Sequence, residues 1–65
     1  MQVGQTVYTI DNLTNTVDSW EYAGSLRTEK ELLIRLRRGR ESCFLPARCV
    51  FESEFEAKFV ADSYQ

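Results

Sequence analysis

The stretch ELLIRLRRGRESCFLPARCV, residues 31–50, constrains this chain more than any other. An apolar run enters an arginine cluster, turns at Gly39 and leaves as a second apolar run that meets the one proline, Pro46. Glycine tolerates the positive φ that tight hairpin turns demand. The pattern therefore predicts a β-hairpin whose arms supply core and whose tip carries most of the positive charge. Across residues 31–38, Leu32, Ile34 and Leu36 face one way and Leu33, Arg35 and Arg37 the other, as a strand requires. The same stretch has good helix propensity, and Leu32, Leu33 and Leu36 would share a helical face. Flanking segments that read as strands with short turns decide for the strand, because so short an isolated helix is marginal.

The return arm, ESCFLP at 41–46, puts Cys43 and Leu45 on one face and Phe44 on the other. Pro46 lacks the N–H a ladder needs, so the strand ends there, Pro46-Ala47-Arg48 makes one helical turn, and CVFE at 49–52 is a last short strand. Upstream, QTVYTI at 5–10 is rich in β-branched and aromatic residues and reads as the first strand. Asp11, Asn12 and Asn15 then suit a turn, because their side chains bond nearby backbone. In residues 17–27, Trp20, Tyr22 and Leu26 alternate with polar or small residues, the period of a half-buried strand. Gly24 interrupts that apolar face, where a bend or bulge would let a long strand curl around a small core. Thr28-Glu29-Lys30 makes the next turn. Ser53 followed by Glu56 fits the capping box and starts a helix over about 54–63, with Phe55, Phe59 and Val60 as its buried stripe. Tyr64 is either a lid on the core beneath that helix or part of a disordered end. No internal repeat, low-complexity tract or linker interrupts the chain.

Sixty-five residues make a single domain over 1–65, near the size where one core is only just sufficient. The balance of 43% hydrophobic and 28% charged residues is that of a globular protein and not a disordered one. No apolar run approaches the ~20 residues of a membrane span, and MQVGQTVY lacks the basic start and apolar stretch of a secretion signal. The expected compartment is the cytoplasm, with no membrane partner. The net charge of −2 is unevenly spread. Residues 35–48 set Arg35, Arg37, Arg38, Arg40 and Arg48 against Glu41 for +4, while the flanks 1–34 and 49–65 each carry −3. A basic middle between acidic flanks leaves room for a local anionic partner and argues against a protein that coats nucleic acid generally.

Catalysis is not expected. There is no histidine, no glycine-rich phosphate loop and no nucleophile with its base. Cys43 and Cys49 fall short of the four ligands of a structural zinc site, and in a cytosolic chain they read as buried reduced thiols before a disulfide. No cofactor or metal is expected.

Five short strands with a proline-marked turn before the last resemble an SH3-like barrel. The likeness is most direct at Leu45-Pro46-Ala47-Arg48-Cys49-Val50. A second likeness runs through Val3-Gly4, Val7-Tyr8-Thr9-Ile10, Val50-Phe51-Glu52-Ser53 and Glu56-Ala57, and is similar to small, mostly uncharacterised phage and bacterial proteins. The resemblance implies a five-stranded SH3-like barrel with a short C-terminal helix, used for binding and not for catalysis. In a phage or mobile element it implies an accessory protein acting on a host protein. The acidic-aromatic signature of proline-peptide recognition is missing, since Val7 to Asp11 offers a single tyrosine.

The expected contact patch is Arg35 and Arg37 on the outer face of one strand, Arg38 and Arg40 at the hairpin tip, and Arg48 adjacent. Guanidinium groups suit bidentate pairing with carboxylate or phosphate. The plainer alternatives are a charged edge that prevents strand aggregation and internal pairing with Glu21, Glu29, Glu31 or the acidic helix. A protein partner is the leading expectation. The alternative is a nucleic-acid-binding barrel using the same arginines, which needs aromatics beside them; Trp20, Tyr22 and Phe44 on the adjacent strands are the candidates, of which strand alternation puts Trp20 and Tyr22 more naturally in the core. Glu52, Glu54 and Glu56 serve capping and solubility, or else dock on a basic partner or mimic phosphates. Homodimerisation through an exposed strand edge is a third expectation.

Overall fold

The structure, a computed structural model, describes residues 1–63, so Tyr64 and the lid expected of it lie outside the described residues. Four antiparallel strands, β1 (Thr6–Asp11), β2 (Thr16–Arg27), β3 (Leu32–Arg38) and β4 (Glu41–Pro46), form one sheet in the order β1-β2-β3-β4. A 3-10 turn (Ala47–Cys49) and one helix, α1 (Glu54–Asp62), follow. The protein is thus mostly β with a short C-terminal helix. The 31–38 stretch is a strand, and Gly39 turns the hairpin at φ 62°. Only the first of the two loop residues, Gly39 and Arg40, has positive φ, as in the type II′ turns that match strand twist.

The expected fifth strand is a correction. Cys49 closes the 3-10 turn, Val50 enters the core, and only Phe51 pairs, exchanging both backbone hydrogen bonds with Tyr8 at 2.8 Å. Ser53 already caps α1, so the chain between the turn and the helix is too short to hold more ladder. One bridge therefore stands where the sequence led us to expect a strand.

Inward-facing Val7, Ile34, Leu36 and Val50 form the core cluster, with Trp20, Tyr22, Leu32, Cys43, Leu45 and Ala47 packed around it. β2 carries the decisive irregularity. Tyr22 pairs with Leu36 but Gly24 with the very next residue, Arg35, so Ala23 is an extra residue bulged out of the ladder. Gly24 adopts φ 132°, open in practice only to glycine. Because side chains alternate with period two, one extra residue flips every later side chain to the other face. Trp20 and Tyr22 accordingly face the core as expected. Leu26 faces outward and is half exposed, contrary to the alternation read from the sequence.

The helix is a second correction. Ser53 Oγ accepts from the Glu56 N–H at 3.4 Å, which is one half of the expected capping box. The buried face, however, is Ala57 and Ala61, with Val60 half-buried, while Phe55 and Phe59 are 80% and 69% exposed. At about 100° per residue, Phe55 and Phe59 lie roughly half a turn away from Ala57. The small residues let the helix sit close against β1 and β2. Asn15 sets its rotation: its side-chain amide donates to the Ala61 carbonyl at 2.7 Å, tying the last turn of α1 to the β1–β2 turn.

Candidate functional site

Register defines the outer face of β2, β3 and β4 row by row, since directly opposed residues share a face. One row is Leu26, Leu33 and Pro46; the next is Gly24, Arg35 and Phe44; the third is Glu21, Arg37 and Ser42. Leu26 and Phe44 are each 51% exposed. Arg35 stands between exposed Phe44 and Gly24, which contributes no side chain, and makes no ion pair among the described residues. The result is an exposed apolar strip with an unpaired guanidinium at its centre.

The remaining arginines differ in their surroundings. Arg37 donates to Glu21 Oε2 at 2.7 Å across the β2–β3 ladder. Both side chains are exposed, so this pair is worth on the order of 0–1 kcal/mol and yields readily to a better partner. Arg38, on the core-facing side of β3, lies 3.5 Å from Glu41 and sets its guanidinium 4.0 Å from the centroid of the Trp20 ring. Trp20 Nε1 donates to the buried Thr9 hydroxyl at 3.0 Å. Trp20 is therefore a half-buried core residue roofed by an arginine, and its ring is not free to stack on a base. Arg40 occupies the exposed hairpin tip and makes no ion pair among the described residues.

Arg48 stands apart. It belongs to the 3-10 turn and donates to Glu31 Oε2 at 2.7 Å, at the end of β3 away from the hairpin tip. The hydrogen bond to Glu31, and then its charge, raise the Arg48 pKa above its ordinary value, so the guanidinium is charged at every relevant pH. The structure thus gathers Arg35, Arg37, Arg38 and Arg40 around the hairpin and places Arg48 elsewhere.

Two concavities flank these features. A groove of about 330 Å³ runs past Gly4, Thr6, Trp20, Glu21, Arg37 and Arg38. A hollow of about 410 Å³ opens at the other end, over Leu32, Ile34 and Val50, with Glu52 and Glu56 on its rim. The groove is walled by Arg37, Arg38 and the Trp20 ring, whereas the hollow is an incompletely covered end of the core with an acidic rim. Both cysteines are free; Cys43 is half-buried against the core and Cys49, expected to be buried, is exposed on the 3-10 turn.

Strand alternation placed Leu33 and Phe44 outward, but sequence reading missed Leu26, which joins them only through the bulge at Ala23, and it missed the exposed phenyl face of α1. The Phe55–Phe59 face depends on a tertiary tie from Asn15 that no local pattern carries. No family model, curated protein or solved structure matches the chain. Among the described residues no helix is long and apolar enough to cross a membrane.

Proposed function

We propose that this protein is a non-catalytic protein-binding module whose contact surface is the outer face of β2–β4. The observation that carries the reading is Arg35, unpaired on an exposed face between Phe44 and the bare Gly24 and beside Leu26 and Leu33. Such a face suits a partner segment that offers an acidic group next to apolar or aromatic side chains. The carboxylate meets the guanidinium fork bidentately and the apolar groups cover the strip. Arg37 and Arg40 add charge at the rim, where they assist encounter more than affinity. Arg38 is committed to Trp20 and supports the tip.

The meander, the proline-marked turn and the Tyr8–Phe51 bridge support reading the domain as a minimal SH3-like barrel. Together with the resemblance to small phage and bacterial proteins, this supports our reading of it as a cytoplasmic accessory protein of a phage or mobile element acting on a host protein. Nucleic acid is the second reading, favoured by one observation: Phe44 supplies an exposed aromatic beside Arg35. The aliphatic neighbours Leu26 and Leu33 favour protein, because a phosphate backbone gains nothing from them.

Binding of a fluorescent peptide rich in Glu and Phe, and of single-stranded oligothymidine, distinguishes the two. The peptide binds, and Arg35→Glu weakens it by about tenfold or more, as loss of a central anchor should. Arg48→Glu leaves binding unchanged. Oligothymidine binding that falls steeply with salt and vanishes in Arg35→Glu would instead establish the nucleic-acid reading. Peptide binding equal in wild type and Arg35→Glu removes the face from consideration.

A further inference from the structure

The chain itself carries a segment of the chemistry this face is suited to. On the outward side of α1, Phe55, Phe59 and Asp62 follow at i, i+4 and i+7 and so form one stripe. Phe55 and Phe59 are more exposed than Phe44. Glu56 and Asp62 are exposed and make no ion pair among the described residues, whereas Glu54 is engaged by Lys58 at 2.7 Å. The helix therefore presents two exposed phenyl rings with the free Asp62 carboxylate in line with them, while Glu56, about 100° round from Phe55, belongs to the rim of the hollow over Leu32, Ile34 and Val50. The sheet presents Leu26, Leu33 and Phe44 with the free Arg35 among them and the free Arg40 at the tip. Among the described residues the unpaired charges on the two surfaces are Arg35 and Arg40 on the sheet side, Arg37 being held by Glu21, and Asp62 on the helix stripe, Lys58 being held by Glu54. Two unpartnered surfaces of opposite charge, each apolar at its centre, are mutually complementary.

Resting on the reading above, we infer that the partner of the β2–β4 face is a second copy of this chain, contributing the outward face of its own α1. The contact is heterologous: the helix of one copy meets the sheet of another. The pairing is helix to sheet and not like to like, because two α1 faces together would set Asp62 against its own kind. The same argument disfavours sheet on sheet, where Arg35 would meet Arg35. Because α1 packs on the core side of the sheet and the β2–β4 patch lies on its outer side, the two surfaces face away from each other, so the contact runs head to tail and makes a chain of copies. Phe55, Phe59, Leu26 and Phe44 then lose their exposure together, which accounts for a 65-residue domain leaving so many large apolar side chains in water.

A heterologous contact has a signature that symmetric contacts lack. One variant, Arg35→Glu with Phe44→Ser, spoils the sheet face and keeps the helix. A second, Phe55→Ser with Phe59→Ser, spoils the helix face and keeps the sheet. Sedimentation velocity follows each alone and the equimolar mixture up to about 1 mM, where weak contacts of modest area become visible. Circular dichroism melts confirm that both fold. Wild type associates, and does so less at high salt; each variant alone sediments as a monomer; the mixture associates, because one intact helix meets one intact sheet. Three results overturn the inference: a monomeric wild type, variants that still associate alone through another surface such as the β4 edge, or a mixture that stays monomeric. A monomeric wild type whose β2–β4 face still binds the Glu- and Phe-rich peptide removes the self-partner and keeps the binding face. Loss of both removes the face as well.

Discussion

Asn15 shows how much one residue can decide. It is the sole non-glycine residue at positive φ among those described, at 58°. Asparagine visits this left-handed conformation at lower cost than most residues because its short polar side chain bonds locally. Here the side chain reaches 46 positions along the chain to the Ala61 carbonyl instead, and the Asn15 N–H closes the turn onto Asp11 at 2.7 Å. Replacement by alanine removes the hydrogen bond, about 0.5–1.5 kcal/mol, and adds the left-handed backbone cost, about 1–2 kcal/mol. Replacement by glycine removes only the first. Urea unfolding should therefore rank wild type above Asn15→Gly above Asn15→Ala, with the glycine variant recovering roughly half the loss. Equal losses in the two variants would mean that the backbone conformation carries no strain. The turn itself was legible in Asp11-Asn12-Leu13-Thr14-Asn15, where Asp11 Oδ1 accepts the Leu13 N–H at 2.9 Å. The tie to α1 was not, because nothing local distinguishes an asparagine that caps a turn from one that also grips a helix.

At the scale of elements, strand identity was well marked and strand facing was not. β3 and β4 keep strict alternation, so their inward and outward residues follow from the sequence by counting. β2 does not, since one bulged residue inverts everything from Gly24 onward, and Leu26 was assigned to the wrong face for that reason. The sequence did place an irregularity at Gly24, but a glycine announces a bend or a bulge without saying which, and only a bulge flips the face. α1 failed differently. Its large apolar residues suggested the buried stripe, yet the close approach to β1 and β2 selects small ones. The structure accordingly reverses the usual expectation for core substitutions. Phe59→Ser should shift stability by no more than about 0.5 kcal/mol, as an exposed position does. Ala57→Leu, forcing a branched side chain into a fully buried site, should cost about 1–3 kcal/mol. Thermal melts at low micromolar concentration, where association does not contribute, check both. A large loss from Phe59→Ser alone would put that ring in the core and contradict the helix orientation described here.

For the molecule as a whole, the sequence revealed the class, one small mostly-β domain with a C-terminal helix, and the segregation of its charge. The arginine hairpin was visible as a hairpin. What it stands next to was visible only in part: Leu33 and Phe44 follow from alternation in β3 and β4, whereas Leu26 comes from β2 past its bulge. Arg48, close to the others in sequence, is carried to the far end of β3 by the turn at Pro46 and engaged by Glu31. Among the described residues, the surface that results sets the unpaired Arg35 among apolar side chains on the sheet face and the unpaired Asp62 beside two phenyl rings on the helix face. The central claim is that the sheet face is where this protein meets its partner. Titrating the ¹⁵N-labelled protein with the Glu- and Phe-rich peptide and following backbone amide shifts tests it most directly. The account predicts that the largest shifts fall on Gly24, Leu26, Leu33, Arg35 and Phe44, with Arg48 and the Asn15 turn unmoved. Shifts concentrated instead around the hollow over Leu32, Ile34 and Val50, or along the groove past Gly4 and Trp20, with the Arg35 row silent, would contradict it.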